Sequence, residues 1–191
     1  FGKRGTEGKI AAIKYARTNK IPFLGICFGM QMAIIEFARN VLKIKKASST
    51  ELNNKCVPVV GLIHEWKKDG KTLKGTDQEL GGTMRLGSYD AELINNSLIR
   101  QIYKSKSIKE RHRHRYEVNI NYKNQFQKKG LIFSGNSPDK NLPEIIELKN
   151  HPWFIGVQFH PELKSKPFDP HPLFKSFIKA SVDQSKVKNA E

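Results

Sequence analysis

Ile21-Pro22-Phe23-Leu24-Gly25-Ile26-Cys27-Phe28-Gly29-Met30-Gln31 joins a short apolar run to a helical pattern through a cysteine set between two glycines. The run after Pro22 is long enough for one buried strand. Beyond it, Met30, Ile34, Phe37 and Val41 recur at helical spacing, which predicts a helix with one apolar face. Upstream, residues 7–18 place Ile10, Ile13 and Ala16 near the same period, predicting a second amphipathic helix. Helix, strand and helix with short joins predict an α/β architecture: a mostly parallel central sheet flanked by helices.

The strand-to-helix join is where such a fold presents a nucleophile, and Gly25-Ile26-Cys27-Phe28-Gly29 matches the nucleophile-elbow pattern with cysteine in place of serine. The turn is expected to strain the backbone at Cys27, and side chains two residues before and after would collide, so both flanks call for glycine. Cys27 would open the following helix, whose unpaired N–H groups and dipole favour thiolate over thiol. The N–H of Phe28 would form half of an oxyanion hole. The alternative reading is a structural cysteine beside glycines needed for packing.

Far along the chain, Gln158-Phe159-His160-Pro161-Glu162 ends another apolar run. Pro161 cannot donate a ladder hydrogen bond, so the chain leaves the sheet there. In extended backbone His160 and Glu162 point the same way. Glu162 can then hold one imidazole nitrogen while the other faces Cys27, fixing the tautomer and stabilising the imidazolium. A lone His-x-Glu is ordinary surface decoration; the carboxyl end of a strand makes it a site candidate. Cysteine, histidine and acid form the minimum kit for thiolate acyl transfer.

The 191 residues fit one domain able to bury a sizeable core, and 38% hydrophobic with 27% charged residues describes a soluble globular protein. No run approaches the ~18 apolar residues that cross a bilayer, and no membrane or metal site is expected. Phe1 is not a natural first residue, so sequence upstream of it is expected, and the first residues carry no signal peptide. Two cysteines, Cys27 and Cys56, are too few for a disulfide framework and fit a reducing, cytoplasmic setting. The net charge of +16 raises nucleic acid as a partner. Its lysines are scattered, however, and no aromatics interleave with them as stacking platforms, so a solvated surface is the better reading.

Elsewhere the pattern is weaker. Residues 45–54 read as a polar loop, residues 56–63 as an apolar strand that Pro58 argues against placing centrally, and residues 67–79 as a surface loop whose lysine-rich part has no assigned role. Residues 81–87 and 116–122 read as edge or antiparallel strands, and residues 93–103 as a short helix. Strands follow at 130–134, 145–148 and 153–159, with a turn at 135–139. A last helix spans about 172–182, so the domain is expected to run over residues 1–182 with a frayed polar tail at 183–191.

The two segments resemble the class I (triad) glutamine amidotransferases, whose motifs are Gly-x-Cys-x-Gly and His-Pro-Glu. The resemblance narrows to the glutaminase domain of the CTP synthase family. It is carried by Arg4-Gly5-x-Glu7-Gly8-Lys9-Ile10, the Cys27 segment through Gln31, Glu36-x-Ala38-Arg39-Asn40-Val41, Gly81-Gly82-Thr83-Met84-Arg85-Leu86-Gly87, residues 110–119 (Glu-Arg-His-Arg-His-Arg-Tyr-Glu-Val-Asn), and His151-Pro152-x-Phe154 through Glu162. The block Arg111-His112-Arg113-His114-Arg115 is specific to that family and weighs against a free-standing glutamine or γ-glutamyl hydrolase. A basic binding module with an inert Cys27 is the remaining alternative.

The resemblance implies that Cys27 attacks the side-chain amide of L-glutamine, His160 serves as base and acid, and Glu162 orients His160. Phe28 would donate to the oxyanion, and Phe28, Gly29, Met30 and Gln31 would line the glutamine pocket. Glu51 would meet the substrate ammonium, and Arg115 with Tyr116 the carboxylate, which suits a zwitterion needing both acceptor and donors. No cofactor is implied for this domain; ATP, UTP and magnesium belong to a synthetase domain that is not in this sequence and receives the ammonia. GTP activation and a homotetramer are implied for the full enzyme. A second oxyanion donor would come from a glycine preceding Phe1-Gly2. Loss of one such donor costs ~3 kcal/mol of transition-state stabilisation, so these residues alone are expected to be poor catalysts.

Overall fold

Three apolar residues on one side of a polar helix need a partner surface, and α1 (Thr6–Thr18) buries Ile10, Ile13 and Ala16 accordingly. The fold is given by a computed structural model that describes residues 2–62, 67–68, 71–72 and 84–188. After α1 come β1 (Phe23–Ile26), α2 (Phe28–Asn40), β2 (Ala47–Ser49) and β3 (Val57–Leu62), then the two-residue strands β4 (Lys67–Lys68) and β5 (Lys71–Thr72). The middle of the chain holds β6 (Arg85–Leu93), α3 (Leu98–Tyr103), β7 (Ser107–His114), β8 (Tyr116–Val118) and α4 (Lys123–Lys128). It ends with β9 (Leu131–Asn136), β10 (Pro143–Leu148), β11 (Phe154–Val157) and α5 (Pro172–Lys188). Most of the expected loop at 67–79, Ile63 of the third strand and residues 81–83 of the glycine segment lie outside the described residues.

The larger sheet runs β1-β11-β10-β9-β6-β7, and β2-β3-β8 form a smaller one. The expected mostly parallel sheet is corrected here. Among the described residues only β1 with β11 and β2 with β3 pair in parallel, while β11–β10, β10–β9, β9–β6 and β6–β7 are antiparallel. Parallel neighbours need a long crossover, and the connections at 137–142 and 149–153 are too short for one. The α/β layering holds: α1 and α2 cover one face, and α3 and α5 pack together on the other.

β11 shows why its run is apolar throughout. Phe154 joins the core beneath α1 and α2, whereas Ile155 and Val157 join the core beneath α3 and α5. A strand buried on both faces has no polar side. α2 likewise exceeds its expected single apolar face, since every residue from Met30 to Ala38 is buried. Even Glu36 is enclosed. Arg17 of α1 grips its carboxylate through two bonds of 2.8 and 2.7 Å, and Asn40 adds a third at 3.1 Å.

Other differences have local causes. Ala47 to Ser49 form a buried strand within the expected loop. β3 lies centrally despite Pro58, because β8 pairs only with Val60 to Leu62 and so asks no hydrogen from Pro58; the Asn119 amide takes the Pro58 carbonyl at 3.0 Å. The segment from 116 is a strand only to Val118. The helix expected at 93–103 begins at Leu98, capped by Ser97. α5 continues through the expected frayed tail to Lys188, supported by Lys179–Asp183 at 2.6 Å and by the Gln184 amide on the Lys20 carbonyl at 2.7 Å.

Candidate active site

Ile26 pairs with Val157 on the last rung of β1 and β11, so Cys27 and His160 both leave the carboxyl ends of adjacent parallel strands. The Cys27 N–H donates to the Val157 carbonyl at 2.7 Å, and Cys27 sits at φ 51°, ψ −104° as the N-cap of α2. A non-glycine residue at such a φ is strained by about 1–3 kcal/mol, as expected of an elbow. The flanking glycines prove unequal. A Cβ on Gly25 would lie 2.9 Å from the carbonyl carbon and oxygen of Gly29, whereas one on Gly29 would meet nothing within 4 Å. The expected two-sided collision is therefore corrected: the close approach constrains Gly25 alone.

Past β11 the chain turns at Pro161–Leu163 and the His160 N–H donates to the Arg111 carbonyl at 2.8 Å. Glu162 Oε1 stands 2.6 Å from His160 Nδ1. A carboxylate only accepts, so Nδ1 carries the proton and Nε2 is the basic nitrogen. Nε2 is enclosed and has no hydrogen-bond partner among the described residues.

Cys27 and His160 line one cavity of about 620 Å³, together with Phe28, Gln31, Glu51, Arg115 and Tyr116. Met30 and Gly29 are not among its lining residues. Met30 is fully buried in the core against α2's neighbours, so its side chain does not reach the cavity. Arg113, His114 and Met84 line the cavity too; the sequence marks them as parts of the family's motifs but assigns them no role in the site.

Burial sets the state of the nucleophile. Desolvation pushes the Cys27 thiol up to about 11, and the charges of Glu117 and Glu162 add to the rise, while the Phe28 N–H and the Gln158 amide oppose it. The resting group is a thiol at neutral pH, although the start of α2 favours the thiolate as expected, through the Phe28 N–H. The helix terminus is real, but loss of water around the sulfur outweighs it.

Behind the cavity lies a buried charge cluster. Arg85 Nη1 reaches Glu144 at 2.7 Å and Glu117 at 3.2 Å, both fully buried carboxylates. Burial raises both carboxyls above their ordinary range even so. His112 Nδ1 and His114 Nε2 lie 2.9 Å apart, and desolvation with the nearby Arg85 charge lowers them to about 2 and about 3. These histidines alternate along β7 with exposed Arg111 and Arg113, so the basic block is a strand with cations outward and imidazoles inward.

Among the described residues no group of three His, Cys, Asp or Glu side chains is placed to hold a metal, and no helix is long and apolar enough to cross a membrane.

A family model described as glutamine amidotransferase class-I matches residues 1–180. Among curated proteins, the CTP synthase of Pelagibacter ubique is 75% identical over 181 residues, covering 95% of this chain and 34% of its own length. That of Zymomonas mobilis is 62% identical over 188 residues, covering 98% and 35%. The chain thus spans about a third of the length of these relatives. Among solved structures, the glutaminase domain of Trypanosoma brucei CTPS with bound acivicin superposes with a TM-score of 0.84 at 37% identity, covering 96% of this chain and 68% of that one. A putative GMP synthase component from Thermoplasma acidophilum, at TM-score 0.57 and 17% identity over 96% of this chain and 68% of that one, shares the fold.

Proposed function

The chain belongs to the class-I glutamine amidotransferases and, within them, to the glutaminase domains of CTP synthases, and we propose that it hydrolyses L-glutamine through a Cys27 thioester to supply ammonia for amination of UTP to CTP. One observation carries the reading. The His160 imidazole has Nδ1 held by Glu162 and an enclosed, unpartnered Nε2 on the cavity that also holds Cys27.

In this mechanism glutamine enters the cavity with its ammonium toward Glu51 and its carboxylate toward Arg115 and Tyr116. As Sγ bonds to the amide carbon, the thiol proton passes to His160 Nε2, which a thiol raised to about 11 requires of its base. Glu162 holds the resulting imidazolium. The oxyanion receives the Phe28 N–H, with a second donor from upstream of Phe1. His160 returns the proton to the departing nitrogen, and ammonia leaves. Water then attacks the thioester, giving its proton to His160, and glutamate departs as the proton returns to sulfur.

The same reading extends to a synthetase domain that takes up the ammonia and holds ATP, UTP and magnesium, to GTP as activator, to a homotetramer and to a cytoplasmic setting. These rest on the family resemblance. In the full protein, Cys27→Ala should abolish ammonia release from glutamine while CTP still forms from added ammonia; loss of both activities would overturn the division of labour.

A further inference from the structure

Gln158 lies in the segment between β11 and His160, is fully buried, and has no part in the mechanism above. Its Nε2 stands 3.6 Å from Cys27 Sγ, within hydrogen-bond range for sulfur, and its Oε1 is 3.3 Å from Gln31 Nε2. That same Gln31 nitrogen donates to the Tyr116 carbonyl at 2.9 Å. A backbone carbonyl can only accept, so it fixes which end of the Gln31 amide faces it. The nitrogen so placed turns its second hydrogen on Gln158 Oε1, which leaves the Gln158 amide nitrogen facing the sulfur.

We propose that Gln158 is a working group of the reaction centre, donating a hydrogen bond to the Cys27 sulfur in an orientation that the Tyr116 carbonyl imposes through Gln31. This rests on Cys27 being the nucleophile. The bond strengthens as the sulfur loses its proton, since a charged acceptor draws a donor more strongly than a neutral one. It also ties the sulfur to the strand segment that carries His160, so nucleophile and base are positioned by one piece of backbone. Of the other charged or titratable groups nearby, Glu117 from β8 and Glu162 from the turn after β11 act on the sulfur, while His160, Glu51, Arg113, His114 and Arg115 line its cavity. Among the side chains acting on the sulfur, Gln158 differs in supplying a donor with no charge to titrate, so its removal shifts the sulfur without adding a titration of its own.

The test is alkylation of Cys27 by iodoacetamide in the full chain, read by mass spectrometry of the Cys27 peptide across a pH series. Gln158→Met removes the donor at similar volume, and Gln158→Glu keeps the shape while presenting an acceptor. Both should move the alkylation profile to higher pH. At a fixed pH below the thiol's range, Gln158→Met should react about tenfold more slowly, the equivalent of one pKa unit. Gln158→Glu should react more slowly still. Profiles that superimpose on wild type, with unfolding temperatures unchanged, would overturn the proposal while leaving Cys27 as nucleophile. A Cys27 that resists alkylation in the wild type at every pH would instead overturn the nucleophile reading, and this one with it.

Discussion

Alanine at position 25 should damage the protein while alanine at position 29 should not, although the two glycines flank the same cysteine symmetrically. A Cβ at 25 would lie 2.9 Å from the carbonyl carbon and oxygen of Gly29 and 2.9 Å from Phe23 Cε1. The Gly29 atoms are backbone in the first turn of α2, so relief means sliding α2 from β1 rather than turning a side chain. Overpacking of this kind costs about 1–3 kcal/mol. At roughly 2–4 °C per kcal/mol for a chain of this size, Gly25→Ala should lower Tm by roughly 2–12 °C. At 29 the added carbon meets nothing within 4 Å. Alanine also favours a helix over glycine by about 0.5–1 kcal/mol, so Gly29→Ala should hold or raise Tm. The shift that relieves position 25 also carries Cys27, and a displacement of ~1 Å costs up to ~100-fold in turnover. Thermal unfolding followed by ammonia release from glutamine reads both effects in the full chain. Equal losses in the two variants, or an unaltered Gly25→Ala, would show that the elbow is not packed as described.

Arg85→Met leaves Glu117 and Glu144 buried beside each other without their cation, a loss of about 3–5 kcal/mol near neutral pH. Denaturant midpoints should show the deficit shrinking in acid, where both carboxyls are protonated; a deficit independent of pH would mean Arg85 acts through packing alone. For the intact protein, the raised carboxyls of Glu117 and Glu144 make folding favour their protonated forms, so their contribution is lost as pH climbs from the ordinary carboxylate range through their folded values. The lowered His112 and His114 contribute stability that is intact above 6.5 and lost as pH falls toward about 3. Tm should therefore peak on the acid side of neutrality and decline above it, and a Tm that climbs steadily into the alkaline range would contradict that linkage. Glu162→Gln should fold normally, since the side chain is half exposed. Its amide can donate to Nδ1 and stabilise the wrong tautomer, and the comparable change in a serine triad lowers kcat by about four orders of magnitude. Near-wild-type turnover would remove Glu162 from the mechanism.

What the amino-acid order revealed, and what it hid, follows from where the information resides. Gly25 with Gly29, and His160 with Glu162, are contacts between near neighbours, so spacing alone exposes them. The both-faces-buried β11 announces itself as an unbroken apolar run. By contrast, β7 alternates faithfully, but its inward residues at 110, 112 and 114 are glutamate and histidine, which a search for apolar periodicity passes over. The buried strand Ala47–Ser49 hides for the same reason, being mostly serine. Strand direction depends on which connections are crossovers, and the helix–strand–helix around Cys27 does not represent the later hairpins. The thiol's state and the polarity of the Gln158 amide are set by groups from β8, α2 and the turn after β11. Only the assembled fold brings those together.

Incubating the full protein with an electrophilic glutamine analogue and weighing its proteolytic peptides would examine the proposed chemistry at the atom where it occurs. A single adduct on the Cys27 peptide is expected, with none on the Cys56 peptide and strong suppression in a His160→Ala variant. Adducts spread evenly over both cysteines, or an unmodified Cys27, would contradict a substrate-directed nucleophile at this elbow.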